Sequence, residues 1–209
     1  MKTSVILPVK SFQKSKTRLQ LSEEKTIELC RLLLREVIKT ISESGLIDKT
    51  IIVSNEDKIS DIIEEYDCKR IPDVNEESVN DAVGLAESYL LENKFTHSIV
   101  LPLDVPFFYS EEIEKLLNFS EAKSVVIVPS RHYDGTNALL RTPIDSMKPR
   151  YDEGSYSFQV ESAKKFDVKI SIGLISRLML DIDHREDLVY VLKYNIKPEF
   201  CERIKKIIE

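Results

Sequence analysis

Glycine is scarce in this chain, with five among 209 residues, and none lies between Met1 and Ser44. No G-x-G-x-x-G and no G-x-x-x-x-G-K-[ST] pattern occurs, which excludes the dinucleotide fingerprint and the P-loop. Any phosphate held near the N-terminus must therefore be held largely by side chains. The three histidines, His97, His132 and His184, form no pair with metal-ligand spacing, and no Ser/His/Asp elbow is present. The three cysteines, Cys30, Cys68 and Cys201, are odd in number and far apart. They read as reduced thiols of a cytoplasmic protein rather than as nucleophiles or metal ligands. No apolar run is long enough to span a bilayer and the N-terminus shows no cleavable signal pattern, so no membrane association is expected. A basic excess is missing too: 30 Lys+Arg face 36 Asp+Glu, a net charge of -6. That balance argues against nucleic acid as a partner.

Against this acidic background, one cluster of cations stands out. The apolar run Thr3 to Val9 reads as a buried strand. It empties into a loop bearing Lys10, Lys14, Lys16 and Arg18, before a helix that starts near Ser22. Ligands of open α/β sheets bind at the carboxyl ends of strands, so four cations there suit a polyanion such as a nucleoside triphosphate. Plain solvated lysines are the alternative.

The remaining pattern alternates strands with helices. Helices are expected over 22–44, with Ser22 as cap and Gly45 as stop, and over 56–66, 78–92, 155–165, 185–194 and 198–208, with another opening at Ser110. Strands are expected over 49–54, 68–71, 97–103, 124–129, 137–141, 168–172 and 178–183. Hydrophobic residues make up 42% of the chain, enough for one substantial core. The expected architecture is a three-layer α/β/α domain over residues 1–209 with a mostly parallel central sheet. Phe200, Ile204, Ile207 and Ile208 line one side of the last helix, suited equally to the core or to a second copy, which leaves a homodimer open.

Several residues in this frame carry candidate chemistry. Asp104 follows an apolar strand directly, with Pro106 behind it. A carboxylate there can hold Mg²⁺, which takes one or two carboxylates plus phosphate oxygens; a turn aspartate is the alternative. In Leu180-Asp-Ile-Asp-His-Arg-Glu-Asp-Leu188, Asp181 and Asp183 point the same way if the segment is extended. Either could complete a metal site with Asp104, although Asp183 could equally cap the following helix. The turn Asp134-Gly-Thr-Asn-Ala138 could hold an anion on its amides or be an ordinary hairpin turn. Gly154-Ser-Tyr-Ser157 opens a helix whose N-terminus suits an anion or a plain cap. Asn80 and Asp81, in a first helical turn, could read a base edge or serve as cap and solvated surface.

The segments ILPVKSFQKSKTRL (6–19), SVNDAVGLA (78–86), IVLPLDVPFF (99–108), VIVPSRHYDGTNALL (126–140), EGSYSF (153–158) and LDIDHREDL (180–188) together resemble the 2-phospho-L-lactate guanylyltransferases of coenzyme F-420 biosynthesis. The resemblance runs through almost the whole chain. It implies a nucleotide-diphospho-sugar transferase-like fold of the glycosyltransferase-A type, GTP as donor, Mg²⁺ dependence and pyrophosphate release. It also implies a small phosphorylated three-carbon acid as acceptor: 2-phospho-L-lactate, phosphoenolpyruvate or 3-phosphoglycerate. On this resemblance, Lys16 and Arg18 hold the triphosphate, with Lys10 a further contact. Asp104 and Asp183 bind the metal, Thr136, Gly154 and Ser155 hold the acceptor, and Asn80 faces the guanine. Two departures stand out. Gln159, Val160 and Glu161 occupy a region where relatives often carry histidine, and His184-Arg185 stands where Thr-Pro is common. Competing readings are a molybdenum-cofactor-type guanylyltransferase of the same architecture and a non-catalytic nucleotide-binding module.

Overall fold

The computed structural model describes every residue except Ser15, Glu76, Glu77, Asp152 and Glu153, together with the side chains of Lys14 and Thr17. The chain runs β1 (Thr3–Pro8), α1 (Glu23–Glu43), β2 (Lys49–Val53), α2 (Ser60–Glu65), β3 (Lys69–Ile71), α3 (Val79–Glu92), β4 (His97–Val100), α4 (Ser110–Asn118), β5 (Ser124–Pro129), β6 (Thr136–Thr142), α5 (Ser155–Lys165), β7 (Lys169–Ile172), α6 (Arg185–Tyr194) and α7 (Pro198–Ile208).

The strands form one sheet in the order β3-β2-β1-β4-β6-β5-β7. β6 lies antiparallel to both of its neighbours, and every other pairing is parallel. The chain builds outward from β1 through β2 and β3, then returns to place β4 on the other side of β1. The crevice outside the ends of β1 and β4 is thus the topological switch point, where α/β sheets take their ligands.

Alternation along each strand separates two cores. Val5 and Leu7, Val126 and Val128, and Ala138 and Leu140 face the helices α1, α4, α6 and α7. Ile6, Val125, Ile127 and Leu139 face α3 and α5, as period-two geometry requires. α1 starts as expected, with Ser22 Oγ accepting the Lys25 N–H, and Gly45 at φ 63° turns the chain out of it. The apolar side of α7 packs into the first core through Phe200, Ile204 and Ile207. Burying three such side chains is worth about 1.5–3 kcal/mol each, and that face is no longer offered to a second copy.

Two expectations need correction. The segment 178–183 is not a strand: a turn over 176–179 leads into an unpaired extended passage. Leu178, Leu180 and Ile182 are buried in the first core, so their alternation reflects packing rather than a ladder. The helix over 56–66 is a 3₁₀ turn, Asp57–Ile59, followed by the short α2. Of the two readings of the Asp134-Gly135 turn, the hairpin is the one found, joining β5 to β6. Its amides donate to Ser130 Oγ at 3.3 and 3.2 Å, so they cradle a side chain and not an anion.

Candidate active site

The basic loop after β1 is held by apolar residues within it. Phe12 and Leu19 are buried in the first core, and the Phe12 N–H donates to Glu56 Oε2 at 2.9 Å. Between these anchors the cations fare differently. Lys10 and Arg18 are exposed, and Arg18 Nη1 lies 3.4 Å from His184 Nε2. Lys14's side chain lies outside the described residues. Lys16 turns inward from a left-handed backbone, φ 56°, and its side chain is only 8% exposed.

There the Lys16 ammonium meets both predicted acids. Lys16 Nζ donates to Asp104 Oδ2 and to Asp183 Oδ1, each at 2.7 Å. Asp104 leaves the loop after β4, and its carbonyl accepts the Ile182 N–H at 2.9 Å. That single backbone bond brings the 180–183 passage against the end of β4. Asp181 stands beside the pair and accepts from Asn137 Nδ2 at 3.2 Å.

Electrostatics follow from crowding three carboxylates around one cation. Burial alone would lower the Lys16 pKa, but Asp104 and Asp183 outweigh it and hold the ammonium protonated well above the ordinary lysine range. Burial pushes Asp104 up, and the neighbouring Asp183 charge adds to that against the pull of Lys16. Asp183, where burial also opposes ionisation, is held below its usual value by Lys16. Asp181 is pushed up to about 6, first by burial and then by the Asp104 and Asp183 charges, against its bond from Asn137. Burial likewise raises the Cys30 thiol to about 11, which fits its expected inertness.

The donor set suits a hard divalent cation. Asp104 and Asp183 present oxygens to one shared positive charge, and Lys16 stands in for that charge here. No group of three or more His, Cys, Asp or Glu placed for a metal is found among the described residues. Two carboxylates with the rest of the shell from water and phosphate is the habit of Mg²⁺ rather than of zinc.

The predicted acceptor residues also come together. β6 runs antiparallel, so its first residues Thr136 and Asn137 lie at the same edge as the end of β4. Ser155 Oγ donates to Thr136 Oγ1 at 3.1 Å, and Gly154 precedes α5 with φ 75°, a conformation that favours glycine. Asn80 accepts the Tyr151 N–H at 2.8 Å on its Oδ1, tying the start of α3 to the chain that approaches Gly154. Gln159, in the region where relatives often carry histidine, is fully buried. It accepts from Arg150 N at 3.1 Å and donates to Arg150 O at 3.0 Å. Ser78 caps α3 by accepting the Asp81 N–H on its Oγ, and its hydroxyl donates to Asp81 Oδ2, so the Asp81 carboxylate is engaged with the cap.

Asp187 is a further member that sequence reasoning left as one helical acid among several. Its Oδ2 accepts the N–H groups of Asp183 and His184 at 3.1 and 2.7 Å. Its Oδ1 is held by Arg131 Nη2 at 2.6 Å. Asp187 therefore fixes the backbone that aims Asp183. Asp187→Ala is expected to cost about 1–2 kcal/mol through the lost cap. If Asp183 holds a metal, turnover should also fall about 10–100-fold, the usual scale for removing support behind such a carboxylate. The Mg²⁺ concentration giving half-maximal rate should rise with it; an unchanged Mg²⁺ dependence would deny Asp187 this positioning role.

Known proteins similar to this chain include several guanylyltransferases. A phosphoenolpyruvate guanylyltransferase from Conexibacter woesei is 30% identical over 192 residues, covering 90% of this chain and 86% of the relative. A 2-phospho-L-lactate guanylyltransferase from Methanothermobacter thermautotrophicus is 25% identical over 209 residues, covering 99% and 92%. A 3-phospho-D-glycerate guanylyltransferase from Colwellia psychrerythraea is 29% identical over 192 residues, covering 90% of each. Among solved structures, a Methanothermobacter nucleotidyl transferase superposes with a TM-score of 0.70 at 10% identity, over 94% of this chain and 99% of that one. That likeness shows the nucleotidyltransferase fold. No helix among the described residues is long and apolar enough to cross a membrane. With residues 3–207 matched from near one end to the other, the chain belongs to the guanylyl transferase CofC-like family.

Proposed function

We propose that this chain transfers GMP from GTP to a small phosphorylated three-carbon acid, releasing pyrophosphate, as a step of coenzyme F-420 biosynthesis. The observation that carries the reading is the convergence of Lys16, Asp104 and Asp183 at the switch point between β1 and β4. Lys10, Lys16 and Arg18 lie on the loop leading into it and suit the triphosphate, with Asn80 toward the guanine. Thr136, Gly154 and Ser155 suit the acceptor's phosphate and carboxylate. Free thiols at Cys30, Cys68 and Cys201 accord with a reducing cytoplasm.

The chemistry needs little acid–base assistance. A phosphate oxygen of the acceptor attacks the α-phosphorus of GTP, and the bond from that phosphorus to the oxygen leading to the β-phosphorus breaks. A phosphate monoester is already ionised at neutral pH, so no general base is required. Two anions must instead be aligned, and the charge leaving on pyrophosphate must be stabilised. Arg18 and Lys10 supply positive charge for that purpose, joined by Lys16 once its ammonium turns to the phosphates. Mg²⁺ held by Asp104 and Asp183 would neutralise phosphate charge when bound.

Pyrophosphate release from GTP, measured with and without Mg²⁺ against 2-phospho-L-lactate, phosphoenolpyruvate and 3-phosphoglycerate in parallel, tests the reading. Mg²⁺-dependent release that needs one of the three is expected and names the acceptor. No release with any of them, from folded protein, would overturn it. Acceptors that differ at one carbon or one hydroxyl are sorted by pocket shape and hydrogen bonds, which is why the three must be run side by side.

A further inference from the structure

Lys16, assigned above to the triphosphate, here spends its ammonium on two carboxylates instead. To serve the triphosphate its ammonium must contact phosphate oxygens, yet here it lies 2.7 Å from each of the two carboxylates assigned to the metal. A divalent cation drawn to the same two carboxylates would bring further positive charge beside an ammonium that is only 8% exposed, and the two would repel. They therefore compete for Asp104 and Asp183. The loop also allows a change: Lys16 lies between the fixed points Phe12 and Leu19, and its four-carbon stem can redirect the ammonium.

We propose that Lys16 is the resident cation of the divalent-metal position, holding Asp104 and Asp183 until metal and triphosphate arrive together. The inference rests on the function proposed above. Without a counter-charge, Asp104, Asp181 and Asp183 would repel one another at the end of β4, and Lys16 relieves that repulsion through its pairs with Asp104 and Asp183. Metal alone must displace Lys16 from two short ion pairs and leave it partly buried without a partner. Metal arriving with a triphosphate releases Lys16 to a new anion. Metal and nucleotide binding are then coupled, each raising the affinity for the other.

The coupling has a consequence separate from catalysis. Removing the ammonium abolishes the internal competitor, so Lys16→Met should bind metal more tightly than the wild type when no nucleotide is present. If the metal-competent arrangement of the wild type is populated at a tenth or less, the gain is about tenfold or more. Mn²⁺ titrated by electron paramagnetic resonance of the free ion, without GTP or acceptor, reads this directly. Asp104→Asn combined with Lys16→Met should lose the gain, which places the bound ion at this site. If Lys16→Met does not fold in metal-free buffer, Mn²⁺ should restore its melting transition more than it raises that of the wild type.

Equal or weaker Mn²⁺ binding by Lys16→Met, or a melting transition that Mn²⁺ fails to restore, overturns the proposal. If the wild type binds Mn²⁺ with GTP while Lys16→Met gains nothing without it, Lys16 is no resident cation and the transferase reading stands. If neither protein binds Mn²⁺ even with GTP, the metal assignment of the proposed function falls, and this inference with it.

Discussion

Asp104→Asn is expected to lower turnover by about 10²–10³-fold, the scale seen when one preorganised electrostatic group is removed from a reaction that builds up charge. The substitution keeps the shape of the side chain and removes its charge. Lys16 retains its 2.7 Å pair with Asp183, and the residue 104 carbonyl still accepts the Ile182 N–H. The passage that carries Asp183 therefore stays docked against the end of β4. Asp183 remains as the counter-charge of Lys16, so no buried charge is left unpaired, and the folding free energy should change by about 1 kcal/mol, the scale of one hydrogen bond, rather than by that of a buried pair broken outright. The pairing of a large kinetic loss with a small stability change is the signature of a group that acts on substrate or metal. Turnover from pyrophosphate release and a thermal melt of the same preparation measure both. Near-normal turnover would remove Asp104 from the site.

Lys197→Met should have the opposite signature. Lys197 opens α7 from a left-handed backbone, φ 56°, and is 8% exposed. Its ammonium donates to Glu36 Oε1 at 2.7 Å, and to Thr40 Oγ1 and the Pro106 carbonyl at 2.9 Å each. All three ammonium protons are used, and α1, α7 and the loop after Asp104 are joined at one point. Burial lowers its pKa against the pull of Glu36, which measures how much the charge depends on that partner. Methionine fills the space of the stem but leaves the Glu36 carboxylate and the Pro106 carbonyl without their donor. Breaking a buried pair on one side costs about 3–5 kcal/mol, and the urea midpoint should fall accordingly. Glu36→Gln in the same chain should recover much of the loss, because a neutral amide no longer needs the cation. Turnover of the folded fraction should stay near normal, since Lys197 touches neither Asp104 nor Asp183. A single variant within about 0.5 kcal/mol of the wild type would show that the pair adds no more than an exposed one.

Both residues show where the linear pattern could and could not be read. The helices over 155–165, 185–194 and 198–208 match expectation residue for residue. Their signals are local: a glycine at one end, a run of early acids, a proline at the first position, an apolar side at helical spacing. Asp104 was visible because an aspartate directly after an apolar strand is itself a local pattern. Leu178, Leu180 and Ile182 misled for the same reason, since alternate burial reads alike whether or not a neighbouring strand is there to pair.

Asp187, Asn137 and Glu56 were not legible as site residues because their partners are remote. Arg131 lies 56 positions before Asp187, Asn137 lies 44 before Asp181, and Phe12 lies 44 before Glu56. In the linear sequence Lys197 is a lysine ahead of a proline with nothing to single it out; only the docking of α7 on α1 makes it a buried cation with three acceptors. Lys16 was legible as a cation near the site but not as the partner of Asp104, 88 positions on, or of Asp183, 167 positions on.

Local periodicity and caps thus determined on their own most of the element types, the strand end that carries Asp104 and the basic loop, while the resemblance of whole segments pointed to the family. Tertiary structure alone decided the reversed direction of β6, the meeting of Thr136 with Ser155 and the placing of Lys16 between two aspartates. The physical reason is that propensity and amphipathicity act over a few residues. Strand order and charge pairing, by contrast, are settled when distant segments compete for the same buried space and the same counter-charge.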